Sequence, residues 1–296
     1  MSNLLIIFLS LVFGIFLRRV KSVPENAHQT LNQIILYVAL PALIFRSIPG
    51  LKWEPGLMAL CLVPWTLFFL AWLVFEKTSW SREVKGALIL TAGLGNTAFI
   101  GFPVIEALYG REALRYALFL DQPGTFLIVS SMGIVVANRF SQGVMRKRDL
   151  FLRILLFPPF LSFTIALILM ALGWKPSGTG EEILERLAGM LTPLALISVG
   201  LQLRLGDVRT EGKYLVAGLV FKLILSPLLV LGFMKAFSVP QEFSQVAIME
   251  AAMAPMVTST IVAQTYNLRP KLAGLMLGLG VPLSFLTLLV WRIIAS

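Results

Sequence analysis

The sequence is poor in the residues that build redox and metal sites. Its 296 residues include one cysteine, Cys61, and one histidine, His28. A single cysteine cannot form a disulfide within the chain, and one histidine excludes a zinc site built from several histidines. The chain also has no HExxH motif, no paired catalytic aspartates and no Ser/His pair. We therefore predict no metal, no cofactor and no enzymatic activity.

Charged residues are also scarce, and apolar residues are abundant. Charged residues make up 14% of the chain and hydrophobic residues 57%, with a mean hydropathy of +0.86. Soluble domains carry about 25% charged residues. The apolar residues form long blocks, and blocks of about 20 indicate membrane-spanning helices. This composition excludes a soluble enzyme, a nucleic-acid-binding domain and a disordered chain. It predicts an all-α integral membrane protein whose partner is the lipid bilayer.

Ten apolar blocks, bounded by charged or Gly/Pro-containing turns, predict ten transmembrane helices. They cover about residues 3–20, 30–48, 54–75, 83–109, 113–137, 150–173, 183–203, 213–237, 243–266 and 271–294. The first block is followed directly by Arg18, Arg19 and Lys21, the reverse of the charge order in a signal peptide. With the N-terminus outside, the cytoplasmic connections carry about twice as many basic residues as the outer ones. We expect a multi-pass protein of the cell membrane with both termini outside, and the net charge of +10 reflects this topology.

The two halves of the chain repeat the same order of prolines. The expected division is a first repeat at 1–140, a cytoplasmic linker at 141–149 and a second repeat at 150–296. Four prolines have a partner in the other half: Pro41 with Pro193, Pro64 with Pro227, Pro103 with Pro255 and Pro123 with Pro282. Five spans per half force the halves into opposite orientations, so the pattern predicts two inverted five-helix repeats.

The fourth and ninth spans carry the strongest helix-breaking signals. Glycine lowers helix stability by about 1 kcal/mol and proline by about 3 kcal/mol. Broken backbone at membrane depth is tolerated only beside protein or a cavity. Each break starts a new half-helix whose N-terminus has a partial positive charge, and the two N-termini converge from opposite sides. This arrangement predicts an anion site, above all for a carboxylate. The predicted substrate-binding residues are Gly95, Asn96, Thr97, Pro103, Pro255, Thr258 and Ser259.

Ionisable residues inside the spans form a second group of candidates. Asp121, Lys222 and Glu250 fall within apolar blocks, and Gln122 follows Asp121. Such residues are costly in a membrane and tend to be functional. Two interpretations stay open: a buried pair of Lys222 with Glu250 or Asp121 that holds the helices together, and a proton or cation relay coupled to transport.

Two segments resemble the auxin efflux carrier (PIN-like) family, in the form of its bacterial members. These are GNTAFIGFPVIEALYG at 95–110 and YNLRPKLAGLMLGLGVP at 266–282. The resemblance implies the fold shared with bile acid sodium symporters. In that fold spans 1, 2, 6 and 7 form a scaffold through which a homodimer assembles. Spans 3–5 and 8–10 form a transport domain in which broken spans 4 and 9 cross at the substrate site.

The resemblance also implies a function. We expect a secondary transporter of small organic anions such as carboxylates, located in the bacterial inner membrane and working by elevator-type alternating access. It would act as an efflux carrier, a uniporter or a symporter, and coupling to H⁺ or Na⁺ stays open. The alternative is a sodium-coupled organic anion symporter of the bile acid type, in which Glu250 and the polar groups of the crossover bind sodium.

Overall fold

A computed structural model describes residues 2–24, 26–49, 54–141, 158–203 and 208–295. Within these ranges the regular structure is helical, which confirms the all-α prediction. The predicted linker at 141–149, apart from its first residue, and the start of the sixth block at 150–157 lie outside the described residues.

The described α-helices follow the apolar blocks of the sequence. In chain order they are α1 (Ser2–Leu17), α2 (Ala27–Ile34), α3 (Leu40–Ser47), α4 (Pro55–Glu76), α5 (Arg82–Gly93), α6 (Phe102–Tyr109), α7 (Leu114–Leu120), α8 (Leu127–Ser130), α9 (Met132–Phe140), α10 (Pro158–Ala171), α11 (Gly178–Ala188), α12 (Leu191–Gln202), α13 (Gly212–Val220), α14 (Ser226–Ala236), α15 (Gln241–Ala251), α16 (Val257–Thr265) and α17 (Pro270–Ala295). A 3₁₀ turn lies at Arg111–Ala113, and π-helical segments lie at Ile35–Ala39, Thr97–Gly101, Asp121–Phe126 and Phe221–Leu225.

Six helical stretches of the described chain are long and apolar enough to cross a membrane. They are Ala27–Ser47, Gly56–Glu76, Arg111–Phe140, Gly178–Gln202, Gly212–Ala236 and Pro270–Ala295. Shorter apolar helices lie at Ile6–Leu17, Thr97–Tyr109 and Pro158–Ala171. Large apolar side chains such as Phe8, Phe13, Leu286 and Ile293 are exposed on this chain, as lipid-facing residues are. The number of ten crossings and the inverted repeat stay predictions.

The chain divides into two compact units. The first contains 1–54, 98–118 and 152–203, and the second contains 55–97, 119–151 and 204–296. The expected scaffold and transport domain stay a prediction.

Close packing of two glycines organises the first unit. A Cβ built on Gly14 of α1 would lie 2.3 Å from the carbonyl oxygen of Ile197 and 2.9 Å from the Cα of Gly200 in α12. Small residues of this kind let membrane helices approach closely. In the same unit the Ser198 hydroxyl of α12 donates a hydrogen bond to the side-chain oxygen of Asn32 in α2.

Two π-helical segments of the second unit lie at or just before a proline: Asp121–Phe126 contains Pro123, and Phe221–Leu225 precedes Pro227. Proline lacks the N–H needed for the regular helical bond, and a π turn is one way to accommodate this. Tryptophan side chains satisfy carbonyl groups in two of these segments. The Trp65 indole donates to the Pro123 carbonyl at 3.0 Å, and the Trp291 indole donates to the Leu223 carbonyl at 2.9 Å. The irregular backbone is therefore fixed at defined positions.

Candidate functional site

The breaks in the fourth and ninth blocks pair with each other in the second unit. Gly95 and Pro255 form an isolated antiparallel β-bridge. The Asn96 N–H donates to the Ala254 carbonyl at 2.8 Å, and the Met256 N–H donates to the Leu94 carbonyl at 3.1 Å. Through these two bonds the extended segments satisfy backbone groups of each other. This exchange explains how non-helical backbone persists at a buried position.

Two glycines permit the close approach at this crossing. A Cβ on Gly95 would lie 3.0 Å from Lys222 Nζ and 3.1 Å from the Glu250 carbonyl oxygen. A Cβ on Gly280 of α17 would lie only 2.5 Å from the ring of Pro255. The crossing is therefore packed on one side by a lysine side chain and on the other by α17.

Lys222 places its ammonium group directly beside the crossing. It lies in the π-helical segment Phe221–Leu225, and its side chain is 1% exposed. Its Nζ donates a hydrogen bond of 2.8 Å to the carbonyl of Ala251, the last residue of α15. A helix C-terminus has a partial negative charge, so the lysine charge is held at a favourable place.

Asp121 binds polar neighbours on both of its carboxylate oxygens. The Thr97 hydroxyl donates to one oxygen, and the Gln122 amide donates to the other at 2.6 Å. All three side chains are buried. Asp121 therefore fixes the orientation of Thr97 at the start of the half-helix that follows the first break.

Glu250 is buried without a hydrogen-bond partner. Its side chain is 1% exposed, and within the described ranges neither carboxylate oxygen has a partner. It interacts electrostatically with Lys222 and with Asp121. The Lys222 ammonium donates a hydrogen bond to a backbone carbonyl, and its interaction with Glu250 is electrostatic. The side-chain oxygen of Gln122 also has no partner among the described residues.

The remaining predicted residues lie at different places. Ser259 is buried in the first turn of α16, and its hydroxyl donates to the Met256 carbonyl at 3.0 Å. Thr258, its neighbour in sequence, is exposed. Pro103 lies near the start of α6 and belongs to the first unit. The structure therefore brings together Gly95, Asn96, Thr97, Pro255, Lys222 and Glu250 in the second unit, and the exposed side chain of Thr258 lies outside this group.

A cavity of about 260 Å³, including its opening, lies at the crossing. Polar lining comes from Thr97, Thr125, Lys222 and Glu250, and Ala251 contributes at the helix end. Apolar lining comes from residues of α4 and α5 and from Leu120. In the described part of the chain, Lys222 is the single basic residue that lines this cavity.

Comparison with known proteins identifies the family. A family model described as "Membrane transport protein" matches residues 1–292. The chain belongs to this family. It is the auxin efflux carrier (PIN-like) family, so the resemblance seen in the sequence is confirmed. The family, together with the apolar helices, makes this a multi-pass membrane protein.

Several relatives match over almost the whole chain. An uncharacterized transporter of Methanocaldococcus jannaschii is 26% identical over 302 residues, which cover 98% of this chain and 97% of the relative. An uncharacterized transporter of Methanothermobacter thermautotrophicus is 27% identical, covering 99% and 97%. The uncharacterized transporter YfdV of Escherichia coli is 25% identical, covering 90% and 88%.

Sequence reasoning missed part of the site. Thr125 lines the cavity, and Gly280 packs against Pro255. A polar residue four positions after Asp121, about one helical turn away, is a signal that could have identified Thr125. No comparable signal marks Gly280, because glycine is common in membrane helices. Over the described residues, no group of three or more His, Cys, Asp or Glu side chains could hold a metal ion.

Proposed function

We propose that this protein is a secondary transporter of small organic anions, with carboxylates as the substrate class. The observation that carries the proposal is the position of Lys222, the cation that lines the cavity at the crossing of the two broken helices. A buried ammonium is energetically costly in a membrane, and ionisable residues within membrane spans are usually functional. Two of its three protons remain after the bond to Ala251, and these are available to a carboxylate.

The broken helices supply further attraction for an anion. The half-helices that begin at Thr97 and Val257 start next to the bridge between Gly95 and Pro255. A helix N-terminus has free N–H groups and about half a positive charge. Together with the lysine, these N-termini attract an anionic ligand.

The lining of the cavity has an apolar part and a polar part. Its apolar wall of α4 and α5 residues suits a short carbon chain, and its polar end suits a carboxylate.

We further propose alternating access of the elevator type. The second unit, which contains the cavity, acts as the transport domain, and the first unit acts as the scaffold and as the contact of a homodimer. The protein works in the bacterial inner membrane with both termini outside.

A thermal-shift screen tests the substrate class. Purified protein is heated with mono- and dicarboxylates and, for comparison, with amines of similar size. We expect stabilisation of the wild type by at least one carboxylate, because a ligand that binds only the folded state raises its stability. Lys222→Met should abolish this response, whereas Lys235→Met should keep it, since Lys235 is an exposed lysine of α14. Stabilisation by amines alone, or an undiminished response in Lys222→Met, would contradict the proposal.

A further inference from the structure

A second cavity lies within the first unit, beside the end of the helical stretch Ala27–Ser47. It encloses about 350 Å³, including its opening, and all of its lining residues belong to the first unit. They come from α3, α6, α7, α11 and α12 and from the 3₁₀ turn. Apolar surface comes from Leu43, Phe102 and Leu191, among others. The charged lining residues are Arg46, Glu106, Arg111 and Glu185. The proposed function does not use this cavity.

Three of the charged side chains in this cavity are paired with one another. Nε of Arg111 donates to one carboxylate oxygen of Glu106 at 3.0 Å, and the Thr192 hydroxyl donates to the other oxygen at 3.0 Å. Nη1 of Arg111 donates to the Glu185 carboxylate. The same guanidinium therefore binds both glutamates, and neither of them takes its partner from Arg46.

Arg46 is the fourth charged residue of the cavity, and it is unpaired in the described part of the chain. Its Nε is buried without a hydrogen-bond partner, and none of the ion pairs between described residues includes it. It lies in the last turn of α3. A buried donor without a partner costs free energy, so a ligand that accepts this hydrogen bond gains affinity. A guanidinium offers paired N–H donors that match a carboxylate or a phosphate group.

The charges that line this cavity determine which ligand charge it accepts. Two arginines and two glutamates line it, so their formal charges sum to zero. One added negative charge can be neutralised by Arg46. A second negative charge on the same ligand would lie near Glu106 and Glu185, and like charges brought together reduce affinity. The cavity therefore favours a singly charged anion over a doubly charged one.

We propose that this cavity is a second ligand site, which binds a singly charged oxyanion through Arg46. The oxyanion is the carboxylate of a dissolved monocarboxylic acid or the phosphate diester of a lipid headgroup, since basic pockets between membrane helices bind such headgroups. No residue lines both this cavity and the one at the crossing. The second site is thus independent of the proposed function.

The experiment measures the thermal unfolding midpoint of the purified protein at slightly alkaline pH. Three probes carry one negative charge: butyrate, dimethyl phosphate and short-chain phosphatidylglycerol. Succinate has the same number of carbon atoms as butyrate but carries two charges, and chloride at equal ionic strength is the reference. Arg46→Gln removes the guanidinium. Arg186→Gln is the matched control, because Arg186 is an exposed arginine of α11 that does not line the cavity.

The quantity of interest is the rise in midpoint that depends on Arg46, obtained as the rise in Arg186→Gln minus the rise in Arg46→Gln. We expect about 2–4 °C or more for at least one singly charged probe, and no such rise for succinate. A rise with butyrate alone supports a dissolved carboxylate, and a rise with dimethyl phosphate and phosphatidylglycerol supports a lipid headgroup. Equal responses of the two variants to all three singly charged probes, or an Arg46-dependent rise with succinate as large as that with butyrate, would overturn the proposal.

The midpoint in chloride separates ligand binding from a structural role of Arg46. Arg46→Gln should melt no lower than the wild type, because the substitution removes a buried donor that has no partner. A lower midpoint together with unchanged probe responses would assign Arg46 a structural role and overturn the proposal. If Arg46→Gln yields no folded protein, Arg46→Lys takes its place. It keeps the charge but lacks the paired donors, so the rise should shrink, and an undiminished rise would contradict the proposal.

The second site and the proposed function can fail separately. If Lys222→Met loses its carboxylate responses while Arg46→Gln keeps all of its responses, the proposed function stands and the second site is overturned. If Arg46→Gln loses its response to a singly charged probe while Lys222→Met keeps its carboxylate responses, the second site stands and the proposed function is contradicted.

Discussion

The substitution Gly95→Ala makes a minimal change at the crossing, because it adds one methyl group. Gly95 does not have a positive φ, so alanine can adopt its backbone conformation, and any effect arises from contacts. The added Cβ would lie 3.0 Å from Lys222 Nζ and 3.4 Å from its Cε, and 3.1 Å from the Glu250 carbonyl oxygen. The backbone oxygen cannot easily retreat, so the lysine has to withdraw.

The size of the effect follows from the bond that the lysine makes. Its hydrogen bond to the Ala251 carbonyl is 2.8 Å long, and hydrogen bonds to charged groups contribute about 1.5–3 kcal/mol. If a bound carboxylate loses a contact of similar strength, its affinity falls by about 10- to 100-fold. The chain should stay folded, because the Lys222 atoms that must move, Nζ and Cε, form the far end of a flexible side chain.

Titration calorimetry with the most stabilising carboxylate of the screen measures this loss. Gly274→Ala is the matched control in α17, where the nearest atom to an added Cβ is the Gln264 amide nitrogen at 3.4 Å. We expect weakened binding in Gly95→Ala and normal binding in Gly274→Ala. Equal affinity in Gly95→Ala and the wild type would refute the role of Lys222 at the crossing.

Three further substitutions test other parts of the structure. Asn96→Leu should abolish carboxylate binding in a protein that still elutes as a single species in size-exclusion chromatography, and normal binding would remove Asn96 from the site. Gly14→Val should lower the free energy of unfolding by about 1–3 kcal/mol or more through overpacking. Gly232→Val should be tolerated, because nothing lies within 4 Å of its added Cβ. Equal melting midpoints of the two variants would contradict the packing of α1 on α12. Glu211→Gln should lower the free energy of unfolding by about 1–2 kcal/mol. The Glu211 side chain is 3% exposed, and its Oε1 lies 3.0 Å from Nη2 of the half-exposed Arg269. An unchanged melting midpoint would show that this ion pair contributes nothing.

The sequence predicted the helical class and the two breaks because these depend on local properties. Long apolar blocks form helices in a membrane, and Gly95 and Pro255 disfavour a regular helix wherever they occur. The family could be recognised from two short segments for the same reason, since their glycines and prolines determine the backbone locally.

The exact partners of the polar residues could not be predicted from the sequence. A π turn adds one residue to a helical turn, which rotates the following side chains by about 100°. Lys222 lies within such a segment, so helical periodicity gives no reliable direction for its side chain. Its hydrogen bond goes to a backbone carbonyl that becomes available only where α15 ends, and the sequence does not indicate this bond.

The polar run after Pro255 shows the same limit. Thr258 and Ser259 are adjacent in a polar run, and the packing of α16 buries one and exposes the other. Proximity along the sequence therefore locates a break but does not select the side chains that line a cavity.

Counterflow in proteoliposomes is the most direct test of the central claim that the cavity at Lys222 carries a small organic anion. Vesicles are loaded with an unlabelled carboxylate from the screen, and entry of the labelled carboxylate is followed in sodium-free buffer. The account predicts rapid, saturable exchange by the wild type and by Lys235→Met, and no exchange above empty vesicles by Lys222→Met. Undiminished exchange by Lys222→Met, or no exchange by a folded wild type with any carboxylate that stabilises it, would contradict the account.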